Sequence, residues 1–239
     1  MQSPDVPAMT SFSRLSLGDL PFDLPQAIAL PFDIHDPSHA DFGRHGITCP
    51  PSVARSVTKR QVEFLAGRRC ALQALRERQC LVTDLPIGPD RAPLWPEGLL
   101  GSITHVDGLA AAVATGARGL RGIGIDIERI PNQGGLDALR STVLVAGEHR
   151  AIDELADAMG QPMALTLAFS AKESFYKAAA KAAGRMFDFD AVEVLGMASS
   201  GLLDLVVAVD LSADLPRGTL MQVSVTHLDE RTLMTACAW

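Results

Sequence analysis

Gly122-Ile123-Gly124-Ile125-Asp126-Ile127-Glu128 is the stretch on which the fold turns. Its isoleucines fall at every second position, the period of a β-strand. Ile123, Ile125 and Ile127 therefore share one face, and Asp126 and Glu128 project together from the other. The surrounding segment, Arg121 to Ile130, is β-branched and ends at Pro131, as strands do. Two carboxylates a few ångströms apart repel one another, and the usual remedies are a shared proton or a divalent cation. Apolar surroundings make an unneutralised pair expensive. The plain alternative is an edge strand whose polar face is solvated. Gly122 and Gly124 begin a dinucleotide-binding fingerprint, but Ile127 stands where its third glycine belongs and no helix follows directly, so a Rossmann unit is rejected.

Upstream, Leu100–Val106 and Leu109–Thr115 flank Asp107-Gly108 and predict a hairpin. Before it lies a turn-rich connection, Leu85 to Gly98. Over Thr58 to Gln79, Val62, Leu65, Leu72 and Leu75 recur at helical spacing while Arg and Glu fill the other faces, which predicts an amphipathic helix. Residues 1–57, rich in Pro, read as short strands and loops. Downstream, Asp137 to Met159 is a helical region, and Pro162 opens a second helix that Gly184 stops. Phe187 to Trp239 reads as strands, with turns near 199–201, 213–218 and 229–230. This order predicts an α+β fold of two halves, residues 1–118 and 119–239, meeting near residue 118.

Composition narrows the function classes. The 239 residues are 47% hydrophobic and 21% charged, ordinary globular values. The longest apolar stretches are far short of the roughly 18 residues a membrane-crossing helix needs, and the N-terminus lacks the basic and apolar regions of a secretory signal. A cytoplasmic protein is expected. Cys49, Cys70, Cys80 and Cys237 form no CxxC pair and have no His at zinc-finger spacing, so they read as reduced and mostly buried. A formal net charge of −7 argues against general nucleic-acid binding, which draws its affinity from clustered cations.

Three further elements carry chemistry. In Phe169-Ser170-Ala171-Lys172-Glu173-Ser174-Phe175-Tyr176-Lys177-Ala178, Glu173 and Lys177 lie four apart on one helical face; the plain alternative is a solvated ion pair. In Gly101-Ser102-Ile103-Thr104-His105-Val106-Asp107-Gly108, hydroxyls, a His and turn amides could bond phosphate oxygens. A lone His is more often structural. In the cationic helix Lys59, Arg60, Arg68 and Arg69 precede Arg76 and Arg78, and Arg91 lies in the turn-rich connection. Guanidinium forks suit phosphates, although a solvated face accounts for Arg76 and Arg78.

In this order, from about Lys59 to Arg185, the four elements resemble the 4'-phosphopantetheinyl transferase superfamily, in the larger, monomeric type that serves siderophore, polyketide and nonribosomal peptide synthetases. The resemblance implies two pseudo-two-fold related α+β halves with coenzyme A and Mg2+ in the cleft between them, and an apo acyl, peptidyl or aryl carrier protein as partner. It implies Asp126, Glu128 and Glu173 as metal ligands and Lys177, with Lys172 nearby, at the pyrophosphate. His105 matches a histidine near the 3'-phosphate of coenzyme A, with Arg60, Arg68 and Arg91 as phosphate ligands and Thr104 beside them. Glu173 is the first candidate for the general base and Glu148 the reserve. Another magnesium-dependent phosphoryl or nucleotide transferase and a non-catalytic coenzyme A-binding module are the competing readings.

Overall fold

The computed structural model describes residues 11–88 and 91–239. The chain opens with strands β1 (Ser13–Leu15) and β2 (Ala27–Pro31), a one-turn helix α1 (Pro51–Ala54) and the long helix α2 (Thr58–Glu77). The hairpin β3 (Leu99–Val106) and β4 (Leu109–Gly116) follows, and then β5 (Ile123–Arg129). Helices α3 (Gln133–Thr142), α4 (His149–Met159) and α5 (Gln161–Ala183) precede β6 (Val192–Met197), β7 (Leu203–Val207), β8 (Leu220–His227) and β9 (Thr232–Ala238). The expected short strands of residues 1–57 and the turn-rich connection fall partly outside the described residues, at 1–10 and 89–90.

Two antiparallel sheets result, ordered β1-β2-β4-β3 and β5-β9-β8-β7-β6, so the fold is α+β. Each carries one long helix. Val62, Leu65, Leu72 and Leu75 of α2 bury themselves against Ile28 and Leu30 of β2 and Ala110, Ala112 and Ala114 of β4. Leu167, Ala171, Phe175 and Ala179 of α5 do the same with Leu203, Leu205, Val223 and Leu233. A third core joins the sheets: Ala27, Ala29, Ala111 and Val113 meet Ile123, Ile125, Ile127, Met234 and Ala236. Burying each large aliphatic side chain contributes about 1.5–3 kcal/mol. The alternation along β5 therefore sends its isoleucines to the core between the sheets and leaves Gly122, Gly124, Asp126 and Glu128 for the face beneath α5.

β3 and β5 lie side by side, each in its own sheet. Their seam is made by side chains: the Ile125 N–H donates to Ser102 Oγ at 3.0 Å, and the Ile127 N–H to Thr104 Oγ1 at 3.0 Å. The constant offset between these pairs means that the two strands run parallel. The helical region expected over Asp137 to Met159 is two helices, broken where Glu148 is drawn inward and its carboxylate accepts the Val145 N–H at 3.1 Å. Among the described residues, no helix is long and apolar enough to cross a membrane. All four cysteines are free, Cys70 and Cys237 buried.

Candidate active site

Helix α5 crosses β5 at the closest approach a backbone allows. A Cβ added to Gly122 would collide with the Ala178 carbonyl oxygen, and one on Gly124 with that of Ser174. One helical turn back, Ser170 reaches Asp126, its hydroxyl donating to Oδ2 at 2.9 Å. Two strand residues, about 6.8 Å, thus match four helix residues, about 6 Å, and helix and strand run antiparallel in step. The match delivers Lys177 to the same carboxylate: Nζ donates to Asp126 Oδ1 at 2.6 Å and to the Ile125 carbonyl at 3.2 Å. Thr104 Oγ1 is the third donor to this carboxylate, bonding Oδ1 at 3.2 Å.

Asp126, Glu128 and Glu173 share one electrostatic field. Burial, then Asp126 and Glu173, push the Glu128 carboxyl up to about 8 against the pull of Lys177. Burial also raises Glu173, with Lys177 opposing and Asp126 reinforcing. Their openings differ. Glu128 lines a cavity of about 350 Å³ with Glu63, His105 and Asp107, between the two halves. Glu173 lines another of about 200 Å³ with Tyr176, Phe187 and Phe189. Among the described residues, no three His, Cys, Asp or Glu side chains are already gathered in a metal-ligating arrangement; Lys177 serves Asp126 as counterion.

On the other wall, Arg60 Nη1 donates to His105 Nε2 at 3.1 Å, so that imidazole nitrogen is an acceptor. Burial, with Arg60 and Lys177 nearby, holds His105 below its usual range, although Glu63 opposes. Glu63 sits between two cations, Lys59 Nζ at 3.9 Å and Arg60 Nη1 at 3.7 Å, with the acceptor His105 Nε2 3.9 Å away. Arg68 is buried with its guanidinium 4.5 Å over the Phe64 ring. Burial brings it down to about 10, and its Nε has no hydrogen-bond partner among the described residues, leaving a donor for an anion.

Four expected site residues are committed otherwise than expected. Lys172 is buried, and its three protons go to Glu148 Oε1 at 2.8 Å, Val143 O at 2.9 Å and Phe189 O at 3.0 Å, so it has none left for a pyrophosphate. Glu148 is fully buried, with Oε2 accepting the Val194 N–H at 2.9 Å. Such a carboxylate cannot take a proton from a substrate serine, and this corrects the reserve assignment of the base. The Thr104 hydroxyl is committed to β5 rather than to a phosphate. Arg91 lies exposed in the loop before β3, in none of the ion pairs of the cluster. Arg60, His105, Asp126, Glu128, Glu173 and Lys177 come together along the faces of α2, β3, β5 and α5.

The residues that sequence reasoning missed are the ones that hold these in place. Ser170 stands inside the motif of α5, and its helical spacing, seven before Lys177 on the same face, was the available signal. Thr235 opposes Asp126 on β9, a pairing across more than a hundred residues that no local pattern announces. Glu63, three and four residues after Arg60 and Lys59, read as an ordinary solvated helix charge.

A family model described as the 4'-phosphopantetheinyl transferase N-terminal domain matches residues 50–115, and one described as the 4'-phosphopantetheinyl transferase superfamily matches residues 122–203. Enterobactin synthase component D of Salmonella typhi is 46% identical over 121 residues, covering 50% of this chain and 48% of that protein. The 4'-phosphopantetheinyl transferase Svp of Streptomyces mobaraensis is 37% identical over 142 residues, 59% of this chain and 57% of its own. The 4'-phosphopantetheinyl transferase Npt of Nocardia iowensis is 32% identical over 152 residues, 64% and 66% of the two chains. The chain spans about half the length of the enterobactin synthase relatives it matches. Both halves of the cleft, each matched by its own model and joined at the seam of β3 and β5, lead to one conclusion: the chain belongs to the 4'-phosphopantetheinyl transferase superfamily.

Proposed function

We propose that the chain transfers the 4'-phosphopantetheine group of coenzyme A to a serine of an apo carrier protein and releases 3',5'-ADP. The observation that carries this is the buried Asp126, held by Lys177, with the half-buried Glu128 and Glu173 in its field and with Glu128 opening on a cavity also lined by His105, to which Arg60 donates. Two of the relatives are named 4'-phosphopantetheinyl transferases.

The donor set suits Mg2+, which prefers hard oxygen ligands. Burial and the charge of Asp126 push the Glu128 carboxyl up to about 8 and raise that of Glu173, and a divalent cation would relieve that strain. Asp126, Glu128 and Glu173 would hold it. Bound there, it supplies charge neutralisation to the diphosphate.

The chain's own groups account for the rest. Lys177 brings positive charge to the phosphoryl oxygens, the dominant form of help in such transfers. Arg60, Arg68 and His105 face the phosphates of the nucleotide end, with guanidinium forks that match them. The serine oxygen forms a bond to the β-phosphorus, which carries pantetheine, and the bond to the bridging oxygen breaks. 3',5'-ADP departs with the electron pair, and the serine proton passes to Glu173, one helical turn from Lys177 on the same face of α5. Both walls of the cleft come from one chain, which supports a working monomer.

The test is incubation with coenzyme A, Mg2+ and a panel of apo carrier proteins, read by intact mass. Gain of one phosphopantetheine by a carrier is the expected result. Coenzyme A binding without mass gain on any carrier would instead favour a non-catalytic module, and phosphoryl transfer to other acceptors a different transferase.

A further inference from the structure

Asp126 has a partner behind it that the reaction as described does not use. The Ser170 hydroxyl, fully buried on α5, donates to Asp126 Oδ2 at 2.9 Å. Thr235, fully buried on β9 directly across from Asp126, places its Oγ1 2.8 Å from the Ser170 carbonyl oxygen and 2.9 Å from Ser170 Oγ. A carbonyl oxygen can only accept, so the Thr235 proton is drawn to Ser170. The Ser170 proton is then left with the carboxylate as its acceptor. The direction of the chain Thr235 to Ser170 to Asp126 is thereby set by the backbone of α5. Three elements meet in it, and water has no access.

We infer that Ser170 and Thr235 are positioning residues, which clamp Oδ2 of Asp126 and so aim the remaining lone pairs of that carboxylate into the cleft for a divalent cation. The inference rests on Asp126 being a metal ligand. The physical ground is that a ligating carboxylate free to rotate about χ2 spends orientational entropy on every binding event, whereas one held by a fixed donor does not. Lys177 cannot do this work, because its ammonium would itself compete with a cation for the carboxylate.

Binding of Mn2+ to the purified full chain, followed by electron paramagnetic resonance in the absence of coenzyme A, tests this without recourse to turnover. Ser170→Ala and Thr235→Val are expected to weaken Mn2+ binding by about tenfold to a hundredfold, while Thr235→Ser, which keeps the hydroxyl, stays close to wild type. Thr166→Val is the control: it deletes a buried hydroxyl one turn earlier on α5, bonded to the Pro162 carbonyl and without a link to Asp126, and its Mn2+ affinity should not move. Should Ser170→Ala fail to fold, Thr235→Val set against Thr235→Ser decides. Wild-type affinity in Thr235→Val and Ser170→Ala overturns the inference alone. A wild-type chain that takes up no Mn2+ overturns the metal reading and this inference with it.

Discussion

Lys177 holds Asp126 at 2.6 Å in a setting where three acidic groups repel one another. Its charge is needed both at rest and when phosphoryl oxygens arrive. We expect Lys177→Met to lower kcat by about a hundredfold to a thousandfold, the usual loss when one preorganised charge donor is removed, with a smaller effect on the KM for coenzyme A; initial rates against coenzyme A concentration separate the two. Glu128 gives a stability signature in the metal-free protein. Its carboxyl titrates near 4.5 when unperturbed and near 8 in the folded chain, so between those values the native state binds more protons than the unfolded one. Stability therefore falls as pH rises from about 4.5 to about 8. Glu128→Gln should flatten that slope in urea titrations with chelator present, and an unchanged slope would show that another group sets it. Both residues were legible in the sequence, because strand and helix periods announced their faces. Lys172 was not: a lysine beside Glu173 looked like a second phosphate contact, and only the packing of α4 and β6 against α5 shows that its charge is spent on Glu148.

Among elements, α5 on β5 is the decisive contact. In the sequence Gly122 and Gly124 resemble the start of a dinucleotide-binding fingerprint, a reading rejected because Ile127 replaces its third glycine and no helix follows directly. Their actual use is to let a helix backbone lie against a strand backbone, which becomes visible only when the partner is known. Gly124→Ala must push Ser174 away, and overpacking of this kind typically costs 1–3 kcal/mol and occasionally more; we expect about 3 kcal/mol in denaturant unfolding, together with weakened Mn2+ binding because Glu173 and Lys177 move with the helix. A variant of wild-type stability would mean that α5 can shift freely. The boundaries of α2, β3, β4 and α5 were legible from apolar periodicity, Pro162 and the left-handed Gly184 cap. The break at 143–148 was not, since the buried ion pair behind it spans 24 residues.

Across the whole molecule, the two sheets are joined by an apolar core and by a short seam of hydroxyls. Ser102→Ala removes the acceptor of the Ile125 N–H at a buried position and leaves that donor unpaired, a loss of about 1–3 kcal/mol. Amide hydrogen exchange should show faster opening at Ile125 than in β8 and β9; equal protection throughout would place the strength of the seam elsewhere. Element order predicts an earlier and a later half meeting near residue 118, but the parallel alignment of β3 with β5 was not readable, because neither strand forms a ladder with the other.

The bare positions at Gly122 and Gly124 act as a depth gauge. With no side chain between strand and helix, the height of Glu173 and Lys177 above the carboxylates is set by the thickness of the peptide backbone, a length that no substitution on the outer surface of α5 can alter. Exposed residues of that outer surface, such as Lys181, are thus at liberty to diversify while the reacting atoms keep their spacing.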